Sequence, residues 1–298
     1  MKICCFGSLN IDMVFSVEEF VQPGETIRSG GLSLHAGGKG LNQAAAIRKS
    51  GADVLMAGSV GPDGDLLLAA CDDSGLNRRW VRKVEESSGK AVIQVDRHGE
   101  NCIILHDGAN HKNDQSFMDE VLADLTSGDF LVLQNEINDL DHLLLTAQAK
   151  GIQTFLNPSP MAENIKDLPL DKLSCLILNE GEGRALSGVT DPYQIMAVLK
   201  EKYPKTSIIL TLGKEGLLHD SPKGVEAMPA YPVEAVDTTG AGDAFTGYYI
   251  GLLSRGWNRK EALDLAQRAA AISVSRKGAA ESIPDLAEVL ASSGVTCP

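Results

Sequence analysis

Basic residues are scarce in this chain: 27 Lys and Arg stand against 40 Asp and Glu, a formal net charge of −13 over 298 residues. That balance excludes a general nucleic-acid or anionic-membrane binder, either of which needs a basic surface. An anionic small ligand stays possible where a nest of N–H groups or a metal ion supplies positive potential. No stretch approaches the roughly 18 uninterrupted apolar residues of a membrane span. The apolar part of the opening MKICCFGSLNIDMVF is also too short for a signal peptide. There is no CxxC, and the six cysteines (Cys4, Cys5, Cys71, Cys102, Cys175 and Cys297) show no regular spacing. They are expected to be free thiols in a reducing cytoplasm, packed rather than metal-bound. Internal repeats, low-complexity tracts and Pro/Gly/Ser linkers are absent as well. Neither a GxxxxGK[ST] loop nor a GxGxxG after a strand occurs, which disfavours a P-loop NTPase and a dinucleotide fold.

What is there is an ordinary globular composition, 43% hydrophobic and 22% charged, long enough for one large domain. Short β-like runs are expected at residues 2–7, 54–58, 130–133, 154–156, 175–178 and 207–211. Adjacent Cys4 and Cys5 on the first should point to opposite faces. Helical patterns lie between at 41–50, 141–150 and 195–203, and the last third reads as successive helices at 241–255, 259–274 and 285–291. This alternation predicts an α/β fold, a mainly parallel sheet flanked by helices on both faces. Two segments depart from it. Residues 12–33 carry strand-like pieces around Pro23-Gly24, and residues 89–105 alternate as a hairpin across His98-Gly99. Together, at about 12–35 and 89–106, they predict a small β-sheet lid projecting from a single domain, with ordinary hairpins packed on the core as the alternative.

Ligands of open α/β sheets sit beyond the carboxyl ends of the strands, so motifs placed there come first. In DTTGAGDAF, Gly240-Ala241-Gly242-Asp243 opens a helix, where folded-in N–H groups and the dipole favour developing phosphate charge. A carboxylate there repels ground-state phosphate. Asp243 therefore either accepts the proton of an attacking hydroxyl or caps the helix; the tetrapeptide alone supports both equally. In GSLNID, Asn10 and Asp12 offer an amide and a carboxylate on one side of an extended chain, suited to a polyhydroxyl ligand, or else form an Asx turn. In HAGGKGLNQAAAI, Gly37, Gly38 and Gly40 bracket Lys39, and Asn42 follows in the first helical turn. Close backbone approach to a ligand, with Asn42 donating to a hydroxyl, competes with a loop bearing a solvated lysine. Weaker candidates also end strands: Glu136 in QNEI, Asn157 in NPSP, Asn179 and Glu182 in NEGE where phosphates or hydrated Mg²⁺ would sit, and Thr211 and Gly213 in LTLGKEG.

GSLNIDMV, GGKGLNQAA, NEGE and DTTGAGDAF, in this order and at these separations, resemble the ribokinase-like (PfkB-type) carbohydrate kinases over essentially the whole chain. The resemblance implies a Rossmann-like body, a β-lid that also forms a homodimer contact, ATP as donor and Mg²⁺ as cofactor. It implies Asp243 as the base and the backbone of Ala241, Gly242 and Asp243, entered through Gly240, as an anion hole. Asn10, Asp12, Gly38, Lys39, Asn42 and Glu136 match sugar-binding positions; Asn179, Glu182, Thr211 and Gly213 match the nucleotide and Mg²⁺ region. GGKGLNQA, Ala91, HDGAN and Glu136 are most similar to the ribose-phosphorylating branch, so the expected acceptor is the primary hydroxyl of D-ribose. That branch also implies a monovalent-cation (K⁺) site at Asp237, Thr239, Ser273, Gly278 and Ser282. GPDGDL, NPSPM and LLHDSPKG depart from its pattern and leave the sugar open. The alternatives are a kinase of another small sugar (deoxyribose, fructose-type or ketodeoxygluconate) or of a nucleoside, and a sugar-sensing protein without turnover. Aromatics are only 5% of residues and none neighbours the GGKG loop, which weighs against a nucleoside. A sensor is expected to have lost the base or a glycine of the anion hole, and both are intact.

Overall fold

The structure, a computed structural model, describes residues 1–293. The chain opens with β1 (Ile3–Phe6), β2 (Asn10–Ser16), β3 (Gly31–Gly37) and α1 (Lys39–Lys49). It continues with β4 (Leu55–Val60), α2 (Asp65–Asp73), β5 (Asn77–Lys83), β6 (Gly89–Val95) and β7 (Asn101–His106). Alternation resumes with α3 (Gln115–Ala123), β8 (Phe130–Gln134), α4 (Leu140–Ala149), β9 (Gln153–Asn157), β10 (Cys175–Asn179), α5 (Glu180–Ser187), α6 (Pro192–Lys202) and β11 (Ser207–Thr211). A hairpin, β12 (Leu217–Ser221) and β13 (Gly224–Met228), precedes α7 (Ala241–Ser254), α8 (Arg259–Val274) and α9 (Leu286–Ser293).

The apolar runs explain the larger sheet. β1 (ICCF), β4 (LMAGSV) and β8 (FLVLQ) are buried at every position, as strands covered by helices on both faces must be. They sit in a nine-stranded sheet ordered β13-β12-β11-β10-β9-β8-β1-β4-β5, parallel from β11 to β5 with an antiparallel hairpin at one edge. One apolar cluster joins α1, α2, α7, α8 and α9 to one face and contains Cys5. Another joins α3 to α6 to the opposite face and contains Cys4. The expected α/β class and the opposed cysteines are therefore both found. The chain leaves β1 toward β4 and β5 on one side and later fills β8 to β11 on the other, so the crevice at this reversal lies beyond β1 and β8.

α7 lies against α1 closely enough that a Cβ on Gly247 would collide with Ala46 and the Gln43 carbonyl, and one on Gly251 with Ser50 Oγ. This flush contact fixes where the first turn of α7 meets the first turn of α1.

The second sheet has four strands ordered β3-β2-β6-β7, with β2 and β6 parallel and the outer pairs antiparallel. It falls in the two stretches expected, but β2 starts at Asn10, β3 runs to Gly37, and residues 17–30 around Pro23-Gly24 form no strand. The β6–β7 turn is at His98-Gly99, with Gly99 at φ 82. Cys4, Cys5, Cys71, Cys102 and Cys175 are free; Cys297 lies outside the described residues. Among those residues no helix is long and apolar enough to cross a membrane.

Candidate active site

Asp243 sits in the first turn of α7 but does not cap it. The N-cap is Gly240, in the left-handed region at φ 74, and no side chain closes the turn. The Asp243 carboxylate instead reaches across to α1. Oδ2 accepts from Asn42 Nδ2 at 3.2 Å and Oδ1 accepts from Gln43 Nε2 at 2.9 Å. Both amides are buried, as is Asp243 itself. The capping alternative falls, because glycine makes the turn and the carboxylate is held by the neighbouring helix. Asn42 gives one of its two amide hydrogens to Asp243, which leaves the second for another acceptor, and its Oδ1 is buried without a partner.

The anion-hole donors separate in the same turn. Ala241 N–H donates to Thr238 O at 3.3 Å. Gly240, Gly242 and Asp243 N–H find no acceptor among the described residues. A Cβ on Gly242 would meet nothing within 4 Å. No packing requires glycine there, although in a helix it costs about 1 kcal/mol relative to Ala. Room for a ligand is the remaining reason.

The GGKG loop is tied to the end of β1. Glu136, just past β8, accepts from Ser8 Oγ and from Lys39 N–H at 3.1 Å, while Ser8 Oγ accepts from Gly40 N–H. Gly38 takes φ 96, and a Cβ on it would lie 2.9 Å from both Asn10 N and Ser8 O. One Glu136 oxygen, Oε2, is thus occupied in holding the loop, and Oε1 takes no part in these bonds. Burial raises its pKa against the pull of Lys39.

Asn10 and Asp12 begin β2 and share one face of the small sheet, since Asn10 pairs with Gly37 and Gly89, and Asp12 with His35 and Ala91. Asn10 Oδ1 accepts from Asn110 Nδ2 at 2.7 Å, which turns the Asn10 amide nitrogen away from that contact. Burial, together with the nearby Glu136, Glu281 and Asp243 charges, pushes the Asp12 carboxyl up to about 7. Lys39 is the cation of this acidic cluster. Burial opposes its charge, but Asp243, Glu136, Glu182 and Asp12 outweigh that and raise its pKa.

Asn179 and Glu182 form a reciprocal capping box on α5. Asn179 Oδ1 accepts from Glu182 N–H at 2.9 Å, and the two Glu182 oxygens accept from Asn179 N–H and Nδ2 at 2.9 and 2.8 Å. This is the motif's structural explanation. Both residues, with Lys39, Asn157, Thr211 and Asp243, also line a polar cavity of about 200 Å³. A second, more apolar cavity of about 520 Å³ is walled by Gly213, Tyr231, Val233, Gln267 and Val274. The cavities share Thr211, Thr238, Ala241, Gly242 and Phe245, so they adjoin at the start of α7. Asn10, Asp12, Asn42 and Glu136 line neither cavity, but Asn42 bonds to Asp243 and Glu136 to Lys39 N–H.

The expected cation-site residues come together as two facing loops. Val236 and Asp237 N–H donate to Val274 O, and Asp237 accepts from Thr239 N–H at 2.9 Å and Gly278 N–H at 3.0 Å. Burial alone would raise the Asp237 carboxyl, but these bonds hold it below the usual range. The Ser273 and Ser282 hydroxyls bond to each other. Among the described residues no trio of His, Cys, Asp or Glu is placed to hold a metal. For Mg²⁺, both Glu182 oxygens are already engaged, so the fit is to a hydrated ion carried by phosphates rather than to a protein cage.

Sequence reasoning missed Ser8, Gln43, Asn110, Gln134 and Tyr231. All but Tyr231 stand inside quoted motifs, Gln134 opening QNEI, but only contacts across the fold reveal their use.

Residues 1–286 match the family described as pfkB family carbohydrate kinase. The chain is 34% identical to a ribokinase of Schizosaccharomyces pombe, over 97% of this chain and 96% of that one. It is 32% identical to a deoxyribokinase of Salmonella typhi, over 96% of each. An Arabidopsis thaliana ribokinase structure complexed with ribose and ATP superposes with a TM-score of 0.85, at 30% identity and 97% coverage of both chains. A nine-stranded α/β body with a buried carboxylate at the start of α7, and a family match over almost the whole length, lead to one conclusion: the chain belongs to the pfkB family of carbohydrate kinases.

Proposed function

We propose that this protein transfers the γ-phosphoryl group of ATP to the primary hydroxyl of D-ribose. The observation that carries the reading is the Asp243 carboxylate, buried, aimed by two amides and set in the wall of the polar cavity, directly after the Ala241-Gly242 turn that both cavities share. In this reading Asp243 takes the proton of the acceptor hydroxyl. The free N–H groups of Gly240, Gly242 and Asp243 stabilise charge on the transferring group. Lys39 offsets the carboxylates that would otherwise repel the phosphates. Asn10 and Asp12 anchor sugar hydroxyls, and the Glu136–Ser8 contacts keep the GGKG backbone against the ligand. The apolar cavity suits a purine base, and a nucleotide bound there would reach with its phosphates toward Thr211, Asn179 and the α7 turn. Mg²⁺ carried in by the phosphates would neutralise part of their charge, and the Asn179–Glu182 capping box would face its water shell. The loops around Asp237 and Gly278 suit K⁺ held by backbone oxygens next to the anion hole.

The small sheet serves in this reading as a lid of the single domain, one that closes to exclude water as a competing acceptor. Leu32, Leu34, Ile103, Ile104 and Leu105 leave it with exposed apolar side chains, which suits a homodimer through this sheet in the cytoplasm. Sedimentation of the wild-type protein beside Ile104→Lys tests the dimer: the variant should run at half the wild-type mass.

Deoxyribose is the second reading, because the Salmonella relative is nearly as similar as the yeast one. ADP release over ribose, deoxyribose, fructose, ketodeoxygluconate and nucleosides separates them, run with and without K⁺ and with Mg²⁺ chelated. Ribose should give the highest kcat/KM and chelation should abolish turnover. ADP release no faster than the water background for every sugar would remove the kinase assignment.

A further inference from the structure

We infer that Gln43 and Gln134 are positioning residues, forming a one-directional amide relay that fixes the Asp243 carboxylate from the centre of the large sheet. The inference rests on the reading of Asp243 as the base. Gln43 Nε2 donates to Asp243 Oδ1 at 2.9 Å, and Gln134 Nε2 donates to Gln43 Oε1 at 2.8 Å. Gln134 Nε2 also lies 3.6 Å from Cys5 Sγ, whose thiol donates to Gly40 O at 3.3 Å. Donation therefore starts at Gln134 on β8 and runs two ways, through Gln43 on α1 to Asp243 and through Cys5 on β1 to the carbonyl of Gly40 in the GGKG loop.

The direction follows from the end member. An ionised carboxylate only accepts, so Gln43 must turn its NH₂ toward Asp243 and its oxygen inward. That oxygen then needs a donor inside the core, and Gln134 supplies it. Burial pushes the Cys5 thiol up to about 12, which keeps its proton and its donation to the loop.

Neither glutamine contacts solvent, with 0% exposure at both, and neither lines either of the two cavities described. Packing alone would favour apolar side chains. Gln134 Oε1 is buried without a partner over Gly7, where a Cβ would collide with it. An orphaned oxygen of this kind costs about 1–3 kcal/mol. A polar chain kept through a dry core at that expense, and ending on the reacting carboxylate, is accounted for by what it orients.

The test is a double-mutant cycle of Gln43→Met and Gln134→Met, measured as kcat and both KM values with ATP and D-ribose, with thermal melting beside it. Gln43→Met should lower kcat roughly 10–100-fold, the scale of a small misplacement, with KM values moved about twofold or less. Gln134→Met should lower it less, and the double variant no further than Gln43→Met, since the inner link acts only through the outer one. Independent, multiplicative losses, or unchanged kcat in both singles, overturn the relay. If Gln43→Met does not fold, Gln134→Met decides: reduced kcat at unchanged KM supports the relay, and wild-type kcat overturns it. Asp243→Asn in parallel separates the two levels. If it keeps turnover, the base reading fails; if it loses turnover while both glutamine variants keep theirs, only the relay fails.

Discussion

The two sheets are built on opposite terms. The central strands of the large sheet bury every residue beneath helices, whereas β7 is exposed at all positions and β3 at most of them. The large sheet is fixed by side-chain packing on two faces, and the small one chiefly by backbone pairing. The groups that must be held still, Asp243 and the open N–H groups of α7, stand on the packed body. Asn10 and Asp12 stand on the sheet that has less to hold it. On the proposed function, this contrast would place the chemistry on the body and the sugar affinity on the small sheet.

Asp243→Asn strikes the body's side of that division hardest. It should cut kcat by roughly 10²–10⁴, the usual contribution of a positioned base, with little change in sugar KM; a variant near wild-type turnover would erase the division. Next is stability. Leu131→Ala, in a fully buried strand, should destabilise by about 2–5 kcal/mol, and Ile104→Ala on the small sheet, at dilution that keeps the protein monomeric, by about 0.5 kcal/mol or less. Equal losses in chemical denaturation would mean that the lid is as tightly packed as the body. On the lid's side, Asp12→Ala should raise sugar KM about 10–100-fold, the loss of one or more charged hydrogen bonds. Kcat should move much less.

The pH dependence sharpens the same point. With the Asp12 carboxyl near 7 in the free protein, sugar hydroxyls bind the ionised form and a proton must leave below that pH. Sugar KM should therefore rise about tenfold per pH unit as pH falls below about 7, and Asp12→Asn should flatten the slope. A flat wild-type profile would show that Asp12 is not the anchor. The smallest effect is expected from Gly242→Ala. It should leave melting unchanged or raise stability by up to about 1 kcal/mol, yet lower kcat several-fold by crowding the space where phosphate approaches. Unaltered kinetics would show that nothing needs that space.

The same contrast governs what could be read from sequence. β1, β4, β8, β10 and β11 were legible because strands buried on both faces must be continuous apolar runs. β5 (NRRWVRK) and the β12–β13 hairpin lie at the sheet's edges, where that requirement lapses, and neither was anticipated. The small sheet was found through alternation, but its ends were misjudged because Asn10 and Gly37 pair only in the folded register. At the site, motif glycines and carboxylates stood out as residues with no cheap structural excuse. Asp243 as a cap was the wrong half of an open pair, settled by Gly240's backbone. Gln43 and Gln134 are 91 positions apart, and an ordinary glutamine in a helix or strand carries no local sign of a distant partner.

The register of the small sheet has a mechanical consequence. Asn10, Gly37 and Gly89 form one row beside the body, while Ser16, Gly31 and Val95 form the row farthest from it. If the small sheet closes as proposed, this register makes it a lever with its fulcrum at the crevice. At about 3.3 Å per residue, Asp12 rides roughly 7 Å from the fulcrum and Ser16 roughly 20 Å. A swing of about 10° displaces Asp12 by roughly 1 Å, the scale on which a hydrogen bond is made or lost, and the outer row by about three times as much. The sugar contact is geared low, and the outer turn magnifies the same swing.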